Sequence, residues 1–211
     1  MTQHGAPAPP PSNDAPRSAA TPRIESRPIA FLRRTHVTAS VIGLSGSPRP
    51  VSRSRTLLAL TLAALERQGA GSSRLVDLAE LPADALLGRR EDREVADAIQ
   101  AVLDAGIVVV STPIYRATYS GLLKVFFDLL PQDALARKVA IAIATGGGPG
   151  HLLAVDHGLR PLLASVGALV AATAVYGTDA QFRNGTPEPA LVEQIERAAL
   201  EAASLATGVP T

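Results

Sequence analysis

The stretch V-T-A-S-V-I-G-L at residues 37–44, followed by S-G-S-P-R-P-V-S-R-S at 45–54, decides the fold. Residues 37–44 have the β-branched, apolar character of a strand. Residues 45–54 are a polar loop, and residues 54–68 then place leucines at 58, 62 and 65, which is helical spacing. The segment therefore predicts a strand, a loop and a helix that packs back on the strand.

The same alternation continues along the chain. Residues 106–111 (G-I-V-V-V-S) and 138–144 (K-V-A-I-A-I-A) are continuous apolar runs, which are typical of strands buried on both faces of a parallel sheet. Further strands are predicted over 72–77 and 169–176, and helices over 89–104, 120–130, 152–166 with a kink at Pro161, and 189–206. Five strand–helix units predict an α/β fold with a doubly wound, five-stranded parallel sheet.

The chain of 211 residues is long enough for one domain and a tail. Residues 1–36 hold seven of the 17 prolines and five arginines against two acidic residues. A segment of that composition buries too little apolar surface to offset the entropy of ordering, so we expect a disordered tail. The folded domain is then expected to span residues 37–211.

Composition excludes several function classes. Because the chain has no cysteine, disulfide frameworks, thiolate metal sites and cysteine nucleophiles are excluded. The net charge is +1, with +3 on residues 1–36 and −2 on residues 37–211, and this argues against a nucleic-acid partner. The chain has no run of 18 apolar residues and no secretory signal at its start, so we expect a cytoplasmic protein without a membrane span.

Three loops are the candidate functional segments, because ligands of such sheets bind beyond the carboxyl ends of the strands. They are residues 45–54, 112–119 and 145–150. The first combines four serines and two arginines at the start of a helix, where unpaired amides favour a phosphate. A plain serine cap is the alternative, but a cap needs only one serine. We therefore predict phosphate binding there.

The other two loops indicate a site for a planar ring. Residues 112–119 (T-P-I-Y-R-A-T-Y) place a proline and two tyrosines at a strand end, although a proline turn with Tyr115 packed on the core has the same pattern. Residues 145–150 (T-G-G-G-P-G) let the backbone approach a ligand closely, although a flexible turn is the simpler interpretation.

Familiar nucleotide and catalytic motifs are absent from the sequence. The first loop has no lysine of the P-loop type and no G-x-G-x-x-G pattern, and the chain has no G-x-S-x-G elbow. His151 and His157 are six residues apart and fall on different helix faces, so we predict no metal site. A hydroxyl-rich loop at this position suits a single terminal phosphate, such as that of flavin mononucleotide (FMN).

Four blocks of sequence resemble the NADPH-dependent FMN reductases. They are G-S-P-R-x-x-S-R-S at 46–54, P-I-Y-R-A-T-Y-S-G-L-L-K at 113–124, D-L-L-P at 128–131, and A-T-G-G-G at 144–148 followed by H-L-L-A-V-D at 151–156. The chain is most similar to reductases of two-component alkanesulfonate monooxygenase systems. The resemblance implies a flavodoxin-like fold with sheet order 2-1-3-4-5. It also implies that NADPH or NADH reduces FMN, which passes to a separate flavin-dependent monooxygenase.

The resemblance also assigns site residues. It implies that the FMN phosphate is held by four residues, Ser47, Arg49, Ser52 and Ser54. It implies that the flavin ring is bordered by Pro113, Ile114, Tyr115, Arg116, Thr145, Gly146 and Gly147. The resemblance makes Tyr119 the candidate catalytic residue. It corresponds to a tyrosine in a π-helical turn of the alkanesulfonate-type enzymes, where it is linked to the oligomer interface and to flavin behaving as a substrate. Arg116 stands where the family usually has lysine.

Two other functions are compatible with the same fold. A protein of this fold can keep FMN bound and reduce quinones, azo dyes or metal oxyanions, or it can be a flavodoxin-type electron carrier. The helix over 120–130 is apolar around most of its circumference. A helix of that kind is buried on more than one side. We therefore expect a homodimer or homotetramer.

Overall fold

The central sheet of the computed structural model, which describes residues 39–208, is parallel and has the order β2-β1-β3-β4-β5. The predicted order 2-1-3-4-5 is confirmed. A sixth strand, β6, also pairs with β4. The strands are β1 (Val41–Ser45), β2 (Ser73–Asp77), β3 (Ile107–Pro113), β4 (Val139–Gly146), β5 (Leu169–Val170) and β6 (Val175–Thr178). The predicted tail over 1–36 lies outside the described residues.

Helices cover both faces of the sheet. They are α1 (Arg53–Arg67), α2 (Ala83–Leu86), α3 (Arg93–Asp104), α4 (Gly121–Phe127), α5 (Arg160–Ser165) and α6 (Pro189–Ala206). Short 3₁₀ turns occupy Leu78–Glu80, Pro149–Leu152 and Asp179–Gln181, and a π-helix occupies Val155–Leu159. Within residues 39–208, no helix is both long and apolar enough to cross a bilayer.

The two faces of β4 show how the layers are built. Ala140, Ala142 and Ala144 belong to the core cluster that includes residues of α2 to α5, whereas Val139, Ile141 and Ile143 belong to the cluster with α1 and α6. The small alanines leave room on one face, and the branched residues fill the other. This period-two division is the alternation that strand geometry imposes.

Gly43 brings α1 close to β1. A Cβ added at Gly43 would lie 2.9 Å from Leu62 Cδ1 and 3.0 Å from Leu58 Cδ1. A larger residue would therefore displace these leucine side chains. The close packing holds α1 against β1, and these are the two elements that the first loop joins.

The predicted strand over 169–176 is wrong as one continuous element. It is two strands, β5 and β6, which pair with different parts of β4. Between β5 and β6, side chains form hydrogen bonds with the backbone amides and carbonyls. Arg160 donates to the Ala171 and Ala172 carbonyls at 2.7 and 2.5 Å, and Glu201 accepts from the Ala172 and Thr173 amides at 2.5 and 2.8 Å. These contacts replace the ladder hydrogen bonds that a strand would make.

The predicted helix over 152–166 is also divided. It begins as the 3₁₀ turn Pro149–Leu152, continues as the π-helix and ends as α5. Pro161 lies at the start of α5. Proline is tolerated there because the amides of the first turn need no partner within the helix. The predicted kink is therefore a change of helix type just before Pro161.

Glu201 should make stability depend on pH. Partial burial raises its pKa, but hydrogen bonds from Thr173 and Ala172 and the charge of Arg160 outweigh burial and leave the pKa below its ordinary value. A lowered folded-state pKa contributes stability above the unfolded-state pKa, and this contribution is lost as the pH falls through the folded-state pKa. We expect Glu201→Gln to lower the free energy of unfolding at pH 7 by about 1 kcal/mol, and by less near pH 3.

Urea unfolding at the two pH values measures this effect. Glu193→Gln is the control, because Glu193 is an exposed carboxylate on the same helix. An equal loss of stability by Glu201→Gln at both pH values would show that its charge does not matter.

Candidate active site

A cavity of about 490 Å³ opens at the carboxyl edge of the sheet, where the predicted loops meet. Its volume is within the range of small-molecule sites. Nine of the twelve predicted site residues line it: Ser47, Arg49, Ser52, Pro113, Ile114, Tyr115, Thr145, Gly146 and Gly147. Ser54, Arg116 and Tyr119 do not.

The loop after β1 presents hydroxyl groups without using them to cap α1. Ser52 occupies the N-cap position of α1 but accepts no hydrogen bond from a helix amide. Its Oγ lies 2.7 Å from Ser54 Oγ instead. The α1 first turn contains no acidic residue. The plain-cap interpretation therefore does not fit, and the positive end of the helix dipole meets the cavity without a protein carboxylate in its first turn.

Ser47 fixes the course of this loop. Its buried Oγ accepts a hydrogen bond from the Arg49 amide at 3.2 Å and lies 3.3 Å from the Arg49 carbonyl. Ser54 is fully buried, and its carbonyl accepts from Ser111 Oγ at 2.7 Å. The loop backbone is thus tied to itself and to β3, while the exposed Arg49 side chain is left at the cavity.

A second arginine of the loop is held by the segment after β6. Arg53 Nη1 lies 2.7 Å from Asp179 Oδ1, and its guanidinium stands 5.7 Å from the centre of the Phe182 ring. Both partners of the ion pair are about half exposed, at 48% and 56%. The pair therefore adds little to stability, but it sets where Arg53 points at the cavity mouth.

The segment that follows β3, residues 114–118, lines the cavity through Ile114 and Tyr115 and forms a tight hairpin. The Ile114 amide donates to the Thr145 carbonyl at 2.7 Å, and Tyr115 and Thr118 exchange two backbone hydrogen bonds at 2.9 and 3.2 Å. The residues between them, Arg116 and Ala117, have φ of 50° and 69°. This is the left-handed region that a type I′ turn needs and that glycine usually occupies. Arg116 is exposed at the tip of this turn rather than on the cavity wall.

The glycine-rich loop after β4 lines the cavity beside the segment after β3. A Cβ added at Gly146 would lie 2.6 Å from Tyr176 Oη and 2.9 Å from His151 Nδ1, so only glycine fits. At Gly147 an added Cβ would meet nothing within 4 Å. The loop is closely packed behind Gly146 and open around Gly147, which is exposed at the cavity.

The expected π-helical turn at Tyr119 is wrong. Tyr119 lies in a bend before α4, which is an ordinary α-helix beginning at Gly121. The π-helix is Val155–Leu159, and its Gly158 packs on the loop that carries Tyr119. A Cβ added at Gly158 would lie 2.6 Å from Thr118 Oγ1 and 3.5 Å from the Tyr119 ring. The π-helix therefore packs against Thr118 and the Tyr119 ring through Gly158.

Sequence analysis did not predict Thr56, Asp179 or Gly185, which also line the cavity. Asp179 and Gly185 follow β6, and Gly185 lies in the turn of a hairpin formed by Phe182–Arg183 and Thr186–Pro187. Asn184 and Gly185 both have positive φ there, at 50° and 81°. An Asn-Gly pair is a hairpin signal that could have located this turn. Among the described residues there is no cluster of side chains suited to a metal ion.

The model of a known family matches residues 39–182, and its description is NADPH-dependent FMN reductase. The chain belongs to the NADPH-dependent FMN reductase family. Membership identifies it as an oxidoreductase that uses FMN and a nicotinamide nucleotide. The matched residues contain all three loops of the cavity.

Relatives of this FMN reductase family member support the assignment. An FMN reductase (NADPH) of Pseudomonas putida is 38% identical over 159 residues, which are 74% of this chain and 80% of that protein. The NADH-dependent FMN reductase SfnF of Pseudomonas fluorescens is 38% identical over 170 residues, covering 78% of this chain and 90% of SfnF.

Solved structures agree with the sequence comparisons. The apo form of the NADH:FMN oxidoreductase EMOB has a TM-score of 0.74 and 35% identity, and the match covers 82% of this chain and 91% of EMOB. A flavodoxin, WrbA-like protein of Agrobacterium tumefaciens has a TM-score of 0.60 at 15% identity, which supports the flavodoxin-like fold alone.

Proposed function

We propose that the protein uses NADPH or NADH to reduce FMN and releases the reduced flavin to a separate flavin-dependent monooxygenase. The observation that supports this most is one cavity with two different ends. One end has hydroxyls, arginines and a helix N-terminus suited to a phosphate, and the other has Pro113–Tyr115 beside the glycine-rich loop. FMN has the same two parts, a terminal phosphate and a planar ring.

The donor set fits the phosphate of FMN. Ser47, Arg49, Ser52 and Arg53 line the cavity at the start of α1, and Ser54 holds Ser52 from behind. Hydrogen bonds from hydroxyl and guanidinium groups to a phosphate are short and charge-assisted. The first-turn amides of α1 add further donors. In this proposal all five residues bind or position the phosphate.

The remaining predicted residues suit the ring end. Pro113, Ile114 and Tyr115 offer apolar surface, and the loop Thr145–Gly147 offers backbone groups. When bound, the flavin supplies the hydride-accepting ring, so the protein has to hold the two rings together and exclude water. In this proposal Arg116, which is exposed at the turn, borders the ring from the rim of the cavity. In this proposal Tyr119, which packs beside Gly158, keeps the link to the oligomer interface and to flavin acting as a substrate that the resemblance implies.

Reduction of free FMN for a partner is favoured by the relatives. The chain is similar to reductases named SfnF and SfnE as well as to enzymes named FMN reductase (NADPH). We infer that the partner is a monooxygenase acting on sulfur compounds. The other members of the same fold class, quinone and azo reductases, are similar at 16–19% identity and support the fold alone.

Steady-state oxidation of NADPH and of NADH, with and without added FMN, tests the proposal. We expect an almost colourless purified protein whose activity depends on free FMN. A yellow protein that reduces a quinone or a dye without added FMN would replace the proposal with the bound-flavin function. No oxidation of either nucleotide would favour an electron carrier.

We also propose a homodimer or homotetramer, formed through α4. Leu123, Phe126 and Phe127 are buried within the chain, and Leu122 and Val125, which pack against the same core, are only half-buried. A second subunit would cover the part of Leu122 and Val125 that is still exposed. Analytical ultracentrifugation at micromolar concentration should show the assembly, and monomer alone would overturn it.

A further inference from the structure

Tyr176 lies directly behind the glycine-rich loop of the cavity. It is in β6, next to Ala144 of β4, and is 8% exposed. Its hydroxyl donates to the Gly148 carbonyl at 2.5 Å. Tyr176 is not on the cavity wall, so any effect on a ligand has to pass through the loop.

Gly146 and Tyr176 constrain each other. The space that a side chain at Gly146 would occupy is filled by the tyrosine hydroxyl, 2.6 Å from an added Cβ, and by His151 Cβ at 2.9 Å. The missing side chain is therefore what lets the hydroxyl reach the carbonyl two residues later. The hydrogen bond closes the loop over the tyrosine.

The hydrogen bonds of the loop show which of its backbone groups stay available. The Gly148 carbonyl accepts from the Tyr176 hydroxyl and, at 3.2 Å, from the His151 amide. Within residues 39–208, neither the Gly147 nor the Gly148 amide donates to a protein acceptor. Gly148 is half-buried, and a half-buried amide needs a partner, whereas Gly147 is exposed at the cavity. The loop is thus arranged with its carbonyl bound inward and its donors left for a ligand.

The tyrosine is well suited to this task. Burial, with a smaller contribution from the charge of Asp179, raises the pKa of Tyr176. A raised pKa favours the protonated hydroxyl, which is the form that donates to the Gly148 carbonyl. Because β6 pairs with β4 in register from Ile143–Val175 to Gly146–Thr178, the ring is anchored in the sheet itself.

We propose that Tyr176 is a positioning residue that fixes the glycine-rich loop for recognition of the flavin ring. This inference rests on the proposed function, because it needs the ring to lie against the Thr145–Gly147 loop. It makes a specific statement about the ligand. Tyr176 acts on the ring end of the cavity and not on the phosphate end.

The test compares FMN with riboflavin, which has the same ring but no phosphate. The variant is Tyr176→Phe, which keeps the ring and removes the hydroxyl. Fluorescence titration should give dissociation constants raised about 3- to 10-fold, as for loss of one neutral hydrogen bond, and by the same factor for both flavins. Thr61→Val is the matched control, because it also removes a buried hydroxyl bonded to a carbonyl, that of Leu57, inside α1.

Each outcome decides the inference. Equal weakening of both flavins by Tyr176→Phe, with no change in Thr61→Val, supports it. Weakening of FMN alone would place the effect at the phosphate end and overturn it, as would unchanged binding with a lowered melting temperature, since that is a purely structural role. If the wild-type protein binds neither flavin, the proposed function itself fails. That outcome is recognised from the wild-type titration alone and is therefore distinct from failure of the Tyr176 inference.

Discussion

Replacing Arg49 by alanine is expected to weaken FMN binding by about 1.5–3 kcal/mol, which is roughly a 10- to 150-fold rise in the dissociation constant. The Arg49 side chain lines the phosphate end of the cavity and is exposed, and its backbone is tied on both sides to Ser47 Oγ. Within residues 39–208 no carboxylate pairs with it, in contrast to Arg53 and Asp179. Its guanidinium is therefore available to a phosphate at little cost in reorganisation.

Riboflavin is the internal control for Arg49→Ala, since it lacks the phosphate and should bind almost as well as to the wild-type protein. Arg74→Ala is the control variant, because Arg74 is an exposed arginine on β2 away from this cavity. Calorimetric titration with both flavins measures the effect. An equal loss for FMN and riboflavin would mean that Arg49 serves the fold of the loop and not the phosphate.

Replacing Gly146 by alanine should weaken the binding of both flavins and lower the free energy of unfolding by about 1–3 kcal/mol, the range for overpacking a filled site. The added methyl would overlap the Tyr176 hydroxyl at 2.6 Å and His151 at 2.9 Å, so the loop has to move or the tyrosine has to leave its carbonyl. Either change disturbs the ring end of the cavity. The phosphate end, formed by the loop after β1, should be unaffected.

Gly150→Ala is the matched control, since an added Cβ there would meet nothing within 4 Å. Fluorescence titration and thermal unfolding of both variants separate binding from stability. Wild-type affinity and stability in Gly146→Ala would show that the space behind the loop is not as tightly filled as the structure indicates.

Hydrophobic patterning predicted the sheet because its central strands carry strong local signals. The apolar runs at 106–111 and 138–144 correspond to β3 and β4, whose residues are buried throughout. Parallel pairing with helical crossovers leaves few topologies for such a pattern. The order of the strands itself came from the family resemblance, and the structure agrees with it.

The division of the last predicted strand was not visible in the sequence, because its causes are distant. Glu201 lies 28 and 29 residues from the amides it accepts from, and Arg160 lies 11 and 12 residues from its carbonyls. Local pattern carries no information on such contacts. The same holds for the π-helix, which was expected at Tyr119 and lies at Val155–Leu159.

The site was predicted as far as it consists of loops that follow central strands. Ser47, Pro113 and Gly146 meet at one cavity because parallel strands end on the same side of a sheet. Tyr176 was not predicted as a site residue, because a tyrosine within an apolar strand has the pattern of an ordinary core residue. Its role depends on a hydroxyl contact with a loop 28 residues earlier.

The interrupted last strand has a consequence for how copies of the chain meet. An outermost strand with a long row of unpaired amides and carbonyls can template another strand and start aggregation. Here that border is made of pieces of two and four residues, and the polar groups between them are occupied by Arg160 and Glu201. Little backbone is left there for a foreign strand to join. The contacts of Arg160 and Glu201 that interrupt the strand thereby protect this edge of the sheet from fibre-like growth.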